Sequence, residues 1–203
     1  ISSLYTVTLE NDAELVEINP LARIASGELI AADARIIVDD NALFRHPEFK
    51  ERSSVRMDDT SLEAEARKQN LAYVDLDGDI GIVGNGAGLV MATLDLVNHF
   101  GGRPANFLDI GGGGNVDITR KGLRLVISNP RVKAILVNIL GGITRCDIVA
   151  RAIIGALNES TVKKPVVVRM MGTNEAEGTR LLHRAGINTY PDPEKAVEAV
   201  IKL

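Results

Sequence analysis

Aromatic residues make up only 3% of this 203-residue chain, and tryptophan is absent. That removes the stacking surfaces on which single-stranded nucleic acids or a flavin ring are held. Positive charge is not in excess either. The 23 Lys and Arg residues are outnumbered by 27 Asp and Glu, and a net charge of −4 leaves no basic footprint for a nucleic-acid backbone. No apolar run approaches the length of a membrane span, and no signal-peptide pattern is visible. The single cysteine, Cys146, excludes an intramolecular disulfide framework and agrees with a reducing cytoplasm. The expectation is therefore a cytoplasmic protein with neither nucleic acid nor membrane as partner. The sequence opens at Ile1 in a strand-like run, LYTVTLE (4–10), so its natural start is expected upstream.

What is present is an ordinary core-forming composition, 45% hydrophobic and 25% charged. From residue 79 onward, apolar runs that end in glycine alternate with segments of helical spacing. DIGIVGNGAG leads into LVMATLDLVNHFGG, and ANFLDIGGGG into ITRKGLRLVISNP. VKAILVNILGGIT leads into CDIVARAIIGALNES, KPVVVRMMGT into NEAEGTRLLHRAG, and INTYP into DPEKAVEAVIKL. In the last helix Asp192 stands at the N-cap and Pro193 at the first helical position. Alternating strands and helices predict right-handed crossovers and an α/β fold, a flavodoxin-like doubly wound parallel sheet over 79–203. Residues 1–60 differ: their alternation around Ser26-Gly27 predicts an antiparallel hairpin. Residues 61–78 read as a connecting helix.

In an open parallel sheet, ligands sit beyond the carboxyl ends of the strands. Three glycine loops, GNGAG (84–88), GGGG (111–114) and GGIT (141–144), fall at that end. Glycine permits close backbone approach, and each following helix offers unpaired N–H groups and the positive end of its dipole. Together they suit a phosphate or carboxylate. The alternative is that tight strand–helix turns simply require glycine, and three corresponding loops favour the anion site over it. The dinucleotide fingerprint fails because Leu89 stands where its last glycine belongs, and the GxxxxGK[ST] phosphate loop is absent.

Asn19 and Asp33 lie seven residues either side of residue 26, so a hairpin turning at Ser26-Gly27 sets them opposite each other. Glu17 shares the face of Asn19. An amide oxygen and a carboxylate facing each other suit Mg²⁺ held together with nucleotide phosphates. A polar outer face of a half-exposed hairpin is the alternative reading.

Beyond these local readings, EINPL (17–21), DAR (33–35), NALFRHPE (41–48), YVDLDGDIGIVGNGAGLVMATLD (73–95), GGRPANFLDIGGGG (101–114) and VNILGGITRCDIVARAIIGA (137–156) resemble the C-terminal half of succinate–CoA ligase β subunits. The resemblance covers nearly the whole chain. It implies that residues 1–60 are the tail of an ATP-grasp domain and 79–203 a CoA-ligase domain. It implies NTP-driven, reversible succinyl-CoA formation through succinyl phosphate and a phosphohistidine on a partner α subunit, which also binds CoA. By matching motifs it places Asn85 and the backbone of Gly142, Ile143 and Thr144 at the succinate carboxylate and Asn19 and Asp33 on Mg²⁺. Glu17 then orients the phosphohistidine at the ATP or GTP site. The location implied is cytoplasmic, or the mitochondrial matrix in a eukaryote. Arg35 stands where relatives carry lysine, and Thr144 where valine is frequent. A malate–CoA ligase and a non-catalytic flavodoxin-like binding module are the competing expectations. The segment alone is expected to be inactive.

Overall fold

The computed structural model describes residues 2–50, 60–112 and 115–203, so Gly113 and Gly114 of the second glycine loop lie outside the described residues. The chain divides into two units, Ile1–Met57 and Asp58–Leu203.

The first unit opens with helix α1 (Ser2–Glu10), where the sequence pattern predicts a strand. Tyr5, Val7 and Leu9 alternate, but Leu4 and Val7 also satisfy helical spacing, and a run this short fits both periods. Local hydrogen bonds favour the helix: the Thr8 hydroxyl and the Asn11 amide donate to the carbonyls of Leu4 and Val7, each at 2.9 Å. Strand β1 (Ala13–Ile18) pairs antiparallel with β4 (Ala34–Val38), and β2 (Leu21–Arg23) with β3 (Leu29–Ala31). The pairs Val16–Ile36, Glu17–Arg35 and Ile18–Ala34 in one ladder, and Leu21–Ala31 and Arg23–Leu29 in the other, are all symmetric about residue 26. The turn closes with Gly27 N–H donating to Ile24 O at 2.9 Å, and Gly27 takes a φ of 91°. A 3-10 turn (Asp40–Ala42) and the short helix α2 (Pro47–Lys50) complete this unit.

The second unit is a six-stranded sheet. Helix α3 (Ser61–Lys68) begins at a capping box formed by Thr60 and Glu63, and strand β5 (Ala72–Asp75) follows. The 61–78 segment is thus a helix and a strand, and β5 forms an antiparallel edge of the sheet. Its signal is the alternation of buried Leu71 and Tyr73 with exposed Val74. Then come β6 (Ile80–Gly84), α4 (Ala87–His99), β7 (Asn106–Asp109), α5 (Val116–Ser128), β8 (Ala134–Gly141), α6 (Cys146–Glu159), β9 (Val166–Gly172), α7 (Glu175–Arg184), β10 (Asn188–Tyr190) and α8 (Pro193–Ile201).

The sheet order is β10-β9-β8-β6-β7-β5. Its parallel part starts at β6, steps to β7 on one side, then crosses back to β8 on the other, the flavodoxin-like order. The strand order therefore reverses between β6 and β8, where the carboxyl ends of these parallel strands open a crevice. Two apolar cores flank the sheet. One gathers Leu108, Leu123, Val126, Ile135, Val149, Ile153 and Leu182; the other gathers Ile82, Val90, Val97, Leu136, Val197 and Val200. Every residue of β6 is buried, as a strand covered on both faces requires.

Glycine at two helical positions separates packing from propensity. A Cβ on Gly178 in α7 would lie 2.9 Å from the Cys146 carbonyl group of α6 and 2.8 Å from Met170 Sδ, whereas a Cβ on Gly88 in α4 meets nothing within 4 Å. Helix propensity alone favours alanine at both. Gly88→Ala is expected to stabilise by up to about 1 kcal/mol, and Gly178→Ala to destabilise by roughly 1–3 kcal/mol. Thermal unfolding of the two variants measures the signs, and equal signs would refute the close α6–α7 contact.

Candidate functional site

The loops that follow β6, β7 and β8 meet at the crevice. Where β6 ends, the side chain of Asn85 takes the next place in the sheet. Its Oδ1 accepts from Leu140 N–H at 2.8 Å, and its Nδ2 donates to Leu140 O at 2.9 Å. The same Nδ2 donates to Thr144 Oγ1 at 3.3 Å, and Thr144 Oγ1 donates to Gly112 O at 2.6 Å. Asp109, at the end of β7, accepts with a single oxygen from Gly86 N–H at 2.6 Å and from Gly111 N–H at 2.7 Å. The loop after β9 supports the third loop: Thr173 N–H donates to Gly141 O at 2.8 Å, and Thr173 Oγ1 to Gly142 O at 3.0 Å.

Asn85, Gly142, Ile143 and Thr144 are therefore brought together, with their polar groups turned in different directions. Thr144 is 1% exposed and its hydroxyl points inward. Gly142 N–H is engaged by Leu140 O at 3.2 Å. Ile143 is 89% exposed. Among the described residues, nothing accepts from the N–H groups of Ile143 and Thr144, nor from those of Ala87, Gly88 and Leu89 at the start of α4. Neither α4 nor α6 has a side-chain cap on its first turn. Gly86, Gly88, Gly111, Gly112 and Gly142 all border open space. The site is a concave edge of bare backbone facing two helix N-termini, an arrangement that attracts an anion.

The sequence pattern did not reveal Asp109, Thr173 or Asn174 as parts of this edge. Their shared signal is position, Asp109 at and Thr173 and Asn174 immediately beyond the carboxyl ends of parallel strands. Arg145 pairs with Asp147 through two contacts of 3.1 Å, Arg151 approaches the same carboxylate at 3.5 Å, and Asn174 Nδ2 donates to it at 3.1 Å. Cys146 is buried in the core, which pushes its thiol pKa up and suits a small apolar residue rather than a nucleophile. His183 is exposed and its Nε2 lies 2.7 Å from Thr189 Oγ1, remote from the glycine loops in the fold.

In the first unit, the symmetric ladders assign Asn19 and Asp33 to opposite places between β1–β4 and β2–β3. Asn19 Nδ2 donates to Glu17 Oε1 at 3.0 Å, so these two side chains do share a face. Asp33 Oδ1 accepts from Ala34 N–H at 2.8 Å. The Asn19 carbonyl oxygen and Asp33 Oδ2 have no partner among the described residues, leaving two hard oxygens for a cation. No group of three or more His, Cys, Asp or Glu that could hold a metal occurs among the described residues.

Asp147 carries a pH prediction. The Arg145 guanidinium, then Asn174 and Arg151, hold its carboxyl at a pKa lowered to about 2, although its side chain is only 6% exposed. A depressed carboxylate pKa stabilises the fold above the unfolded value of about 4, and that contribution disappears as pH falls toward 2. The stability gap between the wild type and Asp147→Asn should therefore shrink from pH 5 to pH 2 and stay level above pH 5. A gap that widens on acidification would contradict the pairing.

Comparison with known proteins agrees with the fold. The CoA-ligase family profile matches residues 83–203. The ADP-forming succinate–CoA ligase subunit β of Desulfurococcus amylolyticus is 53% identical over 201 residues, 99% of this chain and 52% of that protein. The GDP-forming succinate–CoA ligase subunit β of Thermus thermophilus is 50% identical over 201 residues, 99% of this chain and 53% of that protein. The chain thus spans about half the length of the curated relatives it matches. Among solved structures, ATP citrate lyase from Methanothrix soehngenii superposes with a TM-score of 0.75 over 100% of this chain and 58% of its own, at 18% identity, a likeness of fold. The crevice where the strand order reverses is therefore the carboxyl edge of a known architecture, and the chain belongs to the CoA-ligase family.

Proposed function

We propose that this chain is the C-terminal part of a succinate–CoA ligase β subunit, with residues 1–60 the tail of an ATP-grasp domain, 61–78 a connection whose strand β5 joins the sheet, and 79–203 the CoA-ligase domain. The whole enzyme is then a cytoplasmic heteromer that forms succinyl-CoA reversibly at the expense of ATP or GTP. The observation that carries this reading is the set of N–H groups without a partner among the described residues where the strand order reverses between β6 and β8, on Ile143, Thr144 and the first turn of α4.

In this reading Asn85, Gly142, Ile143 and Thr144 form the cradle for the acid's carboxylate. The start of α6 faces the phosphohistidine of the α subunit and offsets its negative charge. Backbone donors suit both tasks, because they need no reorganisation when charge moves between a phosphoryl group and a carboxylate. The protruding Ile143 excludes water from the transfer once the partner covers it. CoA is held by the partner. At the hairpin, Asn19 and Asp33 hold Mg²⁺, and their free oxygens fit a hard cation. Bound there, the ion neutralises charge on the nucleotide phosphates. Glu17, through its contact with Asn19, orients the phosphohistidine at that site.

The test is reconstitution of the full-length subunit with its α subunit, assayed for succinate-dependent CoA-thioester formation with Mg-ATP and Mg-GTP. Asp33→Ala should lower phosphorylation of the α subunit by at least ~100-fold, as expected when phosphate charge loses its metal clamp. Full phosphorylation in Asp33→Ala would remove the metal assignment. Absence of a thioester with succinate or malate in an assembled, phosphorylatable wild type would remove the ligase reading.

A further inference from the structure

The donors and acceptors at the carboxyl edge form a chain with a direction. Leu140 N–H donates to Asn85 Oδ1, Asn85 Nδ2 donates to Thr144 Oγ1, and Thr144 Oγ1 donates to Gly112 O. The bond from Leu140 N–H fixes which end of the Asn85 amide is oxygen. Asn85 Nδ2 carries two hydrogens, and Leu140 O and Thr144 Oγ1 take both. The Thr144 hydroxyl has one hydrogen, and Gly112 O takes it. Neither side chain keeps a hydrogen for an incoming carboxylate. The chain also passes through all three glycine loops: Asn85 belongs to the first, Gly112 to the second and Thr144 to the third.

From this geometry we infer that Asn85 and Thr144 are positioning residues: they clasp the three glycine loops into one cradle and so hold the main-chain N–H groups already assigned to the acid's carboxylate, foremost that of Ile143. The identity of the bound acid rests on the ligase reading above; the clasp does not. The clasp accounts for a threonine that is buried yet polar. A valine of the same shape fills the space but leaves Gly112 O and one Asn85 hydrogen without a partner. It also accounts for Gly112 and Gly142, where a Cβ meets nothing within 4 Å among the described residues. Those glycines keep open the space that the clasp surrounds.

Two variants and two readouts separate the alternatives, using the full-length subunit assembled with its α subunit. Thr144→Val removes the hydroxyl and keeps the shape; Thr144→Ser keeps the hydroxyl and loses a methyl. The first readout is amide hydrogen exchange over 109–112 and 140–146 without any acid. The clasp requires exchange to rise about tenfold in Thr144→Val, the factor that corresponds to about 1.4 kcal/mol, and to stay within about twofold of the wild type in Thr144→Ser. A hydroxyl that served only as a ligand would leave acid-free exchange unchanged in both, and that result overturns the inference. Equal acceleration in both variants would assign the effect to methyl packing and overturn it as well. The second readout is kcat/KM for succinate, expected to fall about tenfold in Thr144→Val and to be restored in Thr144→Ser. Wild-type kinetics in Thr144→Val would contradict the clasp's part in acid binding. If the wild type activates no acid, the ligase reading fails while the exchange readout still judges the clasp.

Discussion

The carboxyl edge of this sheet depends on one side-chain amide. The β6 strand stops at Gly84, but the β8 strand runs on to Gly141. Without a neighbour, the N–H and C=O of Leu140 would have no sheet partner on that side. The Asn85 side chain supplies both, as a further main-chain residue would. Because the amide has a second hydrogen, it also reaches Thr144, and so the end of a strand becomes the hub of a site. The chain uses this device twice. On the opposite side of β6, where the ladder with β7 is sparse, the Asn106 amide bridges the N–H and C=O of Ile82 at 3.1 and 2.8 Å. Each such bond contributes about 0.5–1.5 kcal/mol, and leaving a buried partner unpaired costs more.

The site itself follows from what the clasp leaves unsatisfied. Side chains tie the glycine loops together, so the remaining donors are main-chain N–H groups at the start of α4 and on Ile143 and Thr144 in the loop before α6. Such donors are fixed in direction and bear no titratable charge. Around them, Asp147 and Asp109 balance the local positive field: one is paired with Arg145 and Arg151, the other is bound to two loop N–H groups. The edge thus attracts an anion without a lysine or arginine inside it.

Much of this was legible in the sequence, for physical reasons that differ by element. The helices with strong end signals could be read directly, as with Asp192 and Pro193, where the Asp192 carboxylate accepts from Glu194 N–H at 2.8 Å. The hairpin register follows from turn symmetry, and the ladders on both sides of residue 26 obey it. Residues 4–10 misled because both periods fit so short a run and local side-chain bonds favoured the helix. Strand β5 was not recognised because four residues carry little periodic signal. At the site, the sequence marked Asn85 and Thr144 as important but could not reveal which way an amide or hydroxyl points. That depends on Leu140 and Gly112, 55 and 32 residues away along the chain.

In the proposed cradle, main-chain groups bind the acid while Asn85 and Thr144 hold the loops. The most direct measurement is a crystal structure of the full-length subunit with its α subunit and succinate. The account requires a carboxylate oxygen within about 3.2 Å of Ile143 N, with the Asn85–Thr144–Gly112 bonds intact. A carboxylate bound to Asn85 Nδ2 or Thr144 Oγ1 with those bonds broken, or bound away from the glycine loops, would contradict it.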